Sequence, residues 1–115
     1  MRPVYLAASA SGDSSPAVLD YMLTPFNVNL TLELGGNTGS ASYTVYTSPD
    51  DPYATYATSY QANANWYSVS AISTASADTS TLLISPVRAV KLTTVAAGTG
   101  GTVAPRLVVI QAGVR

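Results

Sequence analysis

The amino-acid sequence predicts an all-β fold, an antiparallel sandwich of two β-sheets of the jelly-roll or immunoglobulin-like kind. Two observations support this: residues 26–34 alternate between apolar and polar side chains, and several other short extended stretches are separated by Gly, Pro and Asn. No helix of crossover length lies between these stretches, so a parallel sheet is not expected. A length of 115 residues suits one domain, residues 1–115, in which 1–24 form an extended arm or irregular lead-in.

The lead-in permits two local structures around Ser15. This serine could cap a helical turn that has Pro16 in its first position, or the segment could run extended towards the sheet. Pro25 and the β-favouring residues after it favour the extended form. An extended arm over residues 1–15 could also add a strand to another subunit.

The strongest strand signal lies at residues 26–34. Its alternation places one set of side chains in the core, namely Phe26, Val28, Leu30 and Leu32. The glycines and Asn37 of residues 35–39 end the strand, and residues 41–47 resume one that is rich in Thr, Tyr and Val. We expect these two strands to form a hairpin.

The second half of the chain begins with Pro49 and Pro52, which should stop strand pairing. A surface loop is expected to follow at 53–64. An extended segment then starts at Trp66, which we expect in the core, so that Trp66→Ala costs roughly 3 to 5 kcal/mol. Ile72 is the one large apolar anchor of residues 71–80. Further strands are expected at 82–84, at 87–95 with both faces covered, and at 102–111 as a buried final strand.

The composition argues against most catalytic chemistry. The chain has no His and no Cys, so it has no imidazole base, no thiolate nucleophile and no zinc cage. We therefore expect neither an enzyme nor a cofactor. The charged share is 10% and the net charge is -1, which supplies no basic field for nucleic acid. No apolar segment is long enough to span a bilayer, so no membrane partner is expected.

The acidic residues offer weak candidate sites only. Asp50 and Asp51 are calcium-type oxygen donors, but they stand side by side between prolines rather than at alternating loop positions. Turn formation is the favoured interpretation, with the side chains accepting hydrogen bonds from backbone donors. Some pair of acids could always be proposed for glycoside cleavage, but no motif marks one.

Tyrosine is the unusual residue of this chain, supplying eight of its ten aromatic side chains. Tyr and Trp combine a large contact area with one polar group, which suits protein interfaces and sugar-stacking sites. The candidate interface or binding residues are Tyr53, Tyr56, Tyr60 and Tyr67. Arg88 and Lys91 are expected to pair with acids on a neighbouring strand or chain.

Three parts of the chain together resemble small structural proteins of tailed bacteriophages. The first holds Leu19-Asp20-Tyr21 and residues 24–30; the second holds residues 43–47, Asp50-Asp51-Pro52 and Asn65-Trp66-Tyr67; the third holds residues 86–92 and 107–111. The resemblance implies a virion protein, most simply a capsid decoration or cement subunit that contacts the major capsid protein or other virion proteins.

Two further expectations accompany this resemblance. Closed rings are a common way to bury the apolar edges of small sandwiches, so a homo-oligomer, with a trimer favoured, is expected. The alternative role is a tail, connector or fibre component whose Tyr-rich loop binds a receptor or carbohydrate.

Overall fold

The computed structural model describes residues 3–7, 12–22, 24–34, 42–50, 65–96 and 105–114. Within them lie nine strands and one short 3₁₀ helix, η1. The elements are β1 (Val4–Ala7), β2 (Gly12–Asp13), β3 (Ala17–Val18), β4 (Thr24–Glu33), β5 (Ser42–Ser48), β6 (Tyr67–Ser68), η1 (Ser70–Ile72), β7 (Thr79–Leu83), β8 (Ala89–Ala96) and β9 (Arg106–Val114).

The strands form two antiparallel sheets packed face to face, which confirms the all-β two-sheet sandwich. Sheet A has the order β1-β9-β4-β7. Sheet B has the order β2-β8-β5-β6, with β3 also pairing with β8, on the side that β2 occupies. The core between the sheets is mainly aliphatic, and Leu30, Leu32, Leu92 and Leu107 are among its fully buried side chains.

Strand β4 follows its sequence pattern closely. Its residues alternate between buried and half-buried from Phe26 onwards, and four of the five predicted core residues, Phe26, Val28, Leu30 and Leu32, are buried. On one side β4 pairs with β9, for example Leu30 with Val109, and on the other with β7, for example Leu30 with Thr81. The most periodic segment of the sequence therefore lies at the centre of sheet A.

The expected hairpin between the first two long strands is wrong. Strand β4 belongs to sheet A, whereas β5 belongs to sheet B and pairs with β8 and β6. Gly and Asn show where a strand ends, but the choice of partner depends on which sheet receives the next apolar face. Here β5 buries Tyr43 and Val45 against the opposite sheet instead of extending β4 sideways.

The lead-in is extended, as the sequence favoured, but its described parts are regular and pair within the chain. Strand β1 pairs with β9 over four residues, so Val4 to Ala7 complete the chain's own sheet A. Ser14 continues the pairing after β2, because its N–H donates to the Leu92 carbonyl (2.7 Å) and its Oγ accepts from the Leu92 N–H (3.0 Å). These segments do not lie free to join another subunit, and β3 replaces the alternative helical turn.

The segment between β6 and β7 carries the chain from sheet B back to sheet A. Ile72 of η1 is completely buried, which confirms it as the anchor of this small-residue stretch. Ala75 forms an isolated antiparallel bridge with Tyr43, and the Thr74 N–H donates to the Thr44 hydroxyl at 2.9 Å. This segment leads directly to β7, which forms one edge of sheet A.

Candidate binding surfaces

Of the four tyrosines predicted to form an interface, one, Tyr67, lies within the described residues. Tyr53, Tyr56 and Tyr60 lie outside the described residues, as does Asp51. Tyr67 lies on β6, at an edge of sheet B, and 61% of its surface is exposed. Its exposure suits a binding role.

The prediction that Trp66 fills the core is wrong, because its side chain is only half-buried and lies outside the core cluster. It precedes the edge strand β6, and its ring lies beneath the Lys91 ammonium, with Nζ 4.4 Å from the ring centroid. Its Nε1 is buried and has no hydrogen-bond partner within the described part of the chain. The large aromatic residue therefore lies over Lys91 on the outer side of sheet B instead of filling the space between the sheets.

Lys91 forms the centre of a polar cluster on the outer face of sheet B. It is buried, and its Nζ donates to the Asp13 carboxylate on β2 at 2.7 Å. Tyr46 and Trp66 place their rings 5.7 and 4.4 Å from the same nitrogen. The expectation that Lys91 pairs with an acid on a neighbouring strand is confirmed. The Arg88 guanidinium lies over the Tyr21 ring, 4.9 Å from its centroid.

The carboxyl group of Asp13 is stabilised in its charged form. Burial by itself raises the pKa of this carboxyl, but hydrogen bonds from Lys91 and Thr93, together with the charge of Lys91, outweigh it. The net effect lowers the pKa below its ordinary value of 3.8. The Thr93 hydroxyl donates to Asp13 Oδ1 at 2.7 Å. Both carboxylate oxygens are thus engaged in joining β2 to β8, which is a structural use of the cluster.

Asp50 lies in a bend directly after β5, and its carboxylate accepts a hydrogen bond from a distant backbone donor. Its backbone N–H donates to the Ser48 hydroxyl (3.0 Å), and its Oδ2 accepts from the Asn65 N–H (2.9 Å). The carboxylate thus connects two points that are fifteen residues apart in the chain. Within the described ranges, no group of three acidic side chains is placed to hold a metal ion.

A further exposed surface that brings together sequence-distant residues is the outer face of sheet A. We use this name for the side chains that alternate with core residues on β1, β9, β4 and β7. Its apolar members are Tyr5, Leu82, Val108 and Ile110, and Tyr5, Leu82 and Ile110 are exposed. Between the apolar residues lies an uncharged hydrogen-bonded group of Asn29, Thr31 and Ser80.

The charge on the outer face of sheet A lies at one end. Arg106 Nε donates to the Glu33 carboxylate at 2.9 Å, and the Arg106 guanidinium lies 4.6 Å from the Tyr5 ring centroid. The rest of the face combines aliphatic groups, hydroxyls and amides. A face of this composition can be desolvated at lower cost than one with unpaired charges.

Two apolar runs in the sequence contribute residues to this face, but the periodicity of a run does not show which of its side chains are exposed. The continuous apolar run at residues 107–110 predicted a strand buried on both sides, whereas Leu107 and Val109 are buried and Ile110 is 40% exposed. Such runs are typical of strands covered on both faces. Leu82 and Ile84 belong to a second run of the same kind and are also exposed.

Sheet B contrasts with sheet A on its outer side. Ala89, Val90, Lys91 and Leu92 of β8 are all buried, so both faces of the strand are covered over these four residues, but Val95 is 54% exposed and corrects the expectation that both faces are covered as far as residue 95. Ser48, on the outer side of β5, is completely buried as well. Of the two outer faces, that of sheet A is the more open along its central strands.

Comparisons of this chain with models of protein families, with curated proteins and with solved structures find no match. Within the described residues, no helix has the length and apolar character needed to cross a membrane.

Proposed function

We propose that this protein is a non-enzymatic structural subunit of a phage virion, a capsid decoration or cement protein that binds the major capsid protein through the outer face of sheet A. The observation that carries the proposal is this face itself, where exposed apolar side chains on β1, β9 and β7 surround an uncharged polar group. Several exposed apolar side chains that share one face of a small domain are typical of an interaction site.

The proposed mechanism is stabilisation by mass action. A protein that binds assembled shell and not its dissociated subunits shifts the equilibrium towards the shell. This requires surface complementarity and no catalytic group, in agreement with a chain that has neither His nor Cys. The outer face of sheet A spans roughly 19 by 17 Å, from four strands about 4.8 Å apart and five residues of about 3.3 Å each.

The first test is the copy number of the chain in purified virions, measured by quantitative mass spectrometry against the major capsid protein. A ratio near one per capsid subunit, or per capsomer corner, is expected for a decoration protein. A handful of copies would place the chain on the connector, tail or fibres, and its absence from virions would refute the proposal. Virions without the protein should also lose resistance to heat and low salt.

The second test locates the contact. Ile110→Lys places a charge at the centre of the outer face of sheet A, and Val95→Lys places the same charge on β8 of sheet B. Val95 is the more exposed of the two, at 54% against 40%, so the control is no more disruptive to packing. Capsids should bind the Val95→Lys variant normally and the Ile110→Lys variant at least 10-fold more weakly. Equal binding of both variants would exclude this face.

The exposure of Tyr67, beside the half-buried Trp66, supports a second candidate function, carbohydrate or receptor binding on a tail or fibre. The chain has one tryptophan, so its fluorescence reports on this site alone. Acrylamide should quench Trp66, and host polysaccharide should shift its emission and reduce the quenching. A Trp66 signal that is indifferent to polysaccharide would argue against this role.

A further inference from the structure

The edges of the two sheets differ in how they are protected from further pairing. Sheet B ends in β6 on one side and in β2 and β3 on the other, and each of these strands has only two residues. Very short edge strands offer little template for a second chain. Sheet A ends in β1, with four residues, and in β7, with five.

Strand β7 lacks the usual features that protect an edge. It contains no charged residue and no proline, and its pairing with β4 runs without a register shift from Thr79 to Leu83. Natural edge strands are usually blunted by lysine, proline or a bulge. The nearest charge, Asp78, is engaged elsewhere, because its Oδ1 accepts from the Leu34 N–H at 3.0 Å.

The far side of β7 presents backbone hydrogen-bonding groups. In an antiparallel pair, alternate residues direct both N–H and C=O away from the partner strand, so two or three of the five residues of β7 point away from β4. Within the described residues, β4 is the strand that pairs with β7. Helix η1 lies close by, but its Ile72 N–H donates to the Val69 carbonyl.

We infer that β7 pairs with β7 of a second copy of this chain, antiparallel about a two-fold axis at Thr81, so that two copies of sheet A form one continuous eight-stranded sheet. A strand paired with itself in this way satisfies the same backbone groups on both copies, which is the isologous arrangement of a two-fold dimer. Because β7 is neutral, no like charges meet across the axis.

The side chains of β7 are compatible with this pairing. With the axis at Thr81, Ser80 of one copy lies opposite Leu82 of the other, and both belong to the outer face of sheet A. Leu82 is 55% exposed and would lose part of this exposure to the second copy. An extended peptide from another protein could use the same edge, but it would lack this self-matching symmetry. The inference concerns copies of this chain alone and does not depend on the proposed virion role.

Sedimentation equilibrium of the purified full chain tests the inference. The wild-type protein should show a concentration-dependent monomer–dimer equilibrium. Leu82→Lys should weaken dimerisation at least 10-fold, because two added ammonium groups would lie close to the axis. Val95→Lys is the matched control, since Val95 and Leu82 have nearly equal exposure, 54% and 55%, on opposite sheets. Far-UV circular dichroism and urea midpoints would show that both variants fold.

A disulfide provides a second measurement that does not depend on destabilising the edge. The chain has no cysteine, so Thr81→Cys introduces a single thiol. Directly opposed residues of an antiparallel pair have Cα atoms about 4.5 to 5.5 Å apart, which a disulfide can span. Oxidation should yield a covalent dimer with Thr81→Cys and little with Ser73→Cys, an exposed position outside the strand. Any of three results would overturn the inference. The wild-type protein could stay monomeric at millimolar concentration, its dimer could be insensitive to Leu82→Lys, or Thr81→Cys could fail to cross-link.

Discussion

Among the described residues, Gln111 is the one buried amide on the core face of sheet A, and its replacement by methionine gives a quantitative test of the fold. The residue is 2% exposed and lies on β9 opposite Val28. Its Oε1 accepts from the Asp20 N–H at 2.9 Å, and its Nε2 donates to the Asp20 carbonyl at 2.6 Å. The side chain therefore pairs with the backbone of the lead-in as a neighbouring strand would.

The expected cost of Gln111→Met follows from these two bonds. Methionine has nearly the same length and shape, so little cavity energy is added. Each lost hydrogen bond costs about 0.5 to 1.5 kcal/mol of stability, and leaving a buried backbone group of Asp20 without a partner adds to this cost. Asp20 is only half-buried, so water can satisfy part of its backbone. The methionine side chain also gains some transfer free energy, which leaves a net loss of about 2 kcal/mol.

Urea denaturation followed by circular dichroism measures this loss. With a typical slope of about 1 to 3 kcal/mol per M, the midpoint should fall by roughly 1 M. The control is Ile110→Met, the adjacent residue on the exposed side of β9, which should change stability by less than about 0.5 kcal/mol. Equal midpoints for Gln111→Met and the wild type would refute the argument that this amide fixes the lead-in to sheet A.

Three further predictions test other parts of the molecule. The lowered pKa of Asp13 stabilises the fold above its ordinary value of 3.8, and this contribution disappears as pH falls through the lowered value; a pH series of urea midpoints should therefore show a shallower acid decline in Asp13→Asn. In the same urea assay Leu30→Ala, at a fully buried site, should cost about 3 kcal/mol, whereas Leu82→Ala on the exposed face should cost less than about 1 kcal/mol. Trp66→Phe should cost no more than about 1 kcal/mol, because Nε1 has no partner in the described part of the chain. A loss above about 2 kcal/mol would show that the indole N–H is bonded.

The sequence was most informative where a single physical requirement dominates. The alternation in β4 fixed which side chains enter the core because a strand with one buried face must repeat every two residues. The covered character of residues 89–92 followed from apolar residues on both faces of the strand, and the pairing of Lys91 with an acid agrees with the cost of burying an unpaired charge.

The predictions that failed all concern relations between distant segments. Gly and Asn marked the end of β4, but local turn chemistry cannot determine whether the following strand extends the same sheet or crosses to the other. Trp66 was expected inside because a large aromatic side chain usually fills a core. The outer side of sheet B provided another place for it, over Lys91, which no local pattern reveals.

The exposed face was missed for a related reason. Apolar runs such as 107–110 have the same appearance whether the second face is covered by the chain itself or left open. The distinction depends on the number of layers that one small domain can supply. With two sheets, each sheet has one inner face, and any apolar residue on an outer face must be covered by loops, by another molecule or by water.

The distribution of charge agrees with the proposed contact through a mainly neutral surface. Every charged side chain in the described residues makes a contact within the chain, namely Asp13, Asp20, Glu33, Asp50, Asp78, Arg88, Lys91 and Arg106. Several of these contacts join segments far apart in sequence, so the few charges serve the fold rather than long-range attraction. Apart from the Arg106–Glu33 pair at one end, a partner on the outer face of sheet A would meet apolar side chains, hydroxyls and amides. Recognition at such a surface depends on shape and desolvation, which suits contacts between neighbouring subunits of an assembly better than steered capture of a charged ligand.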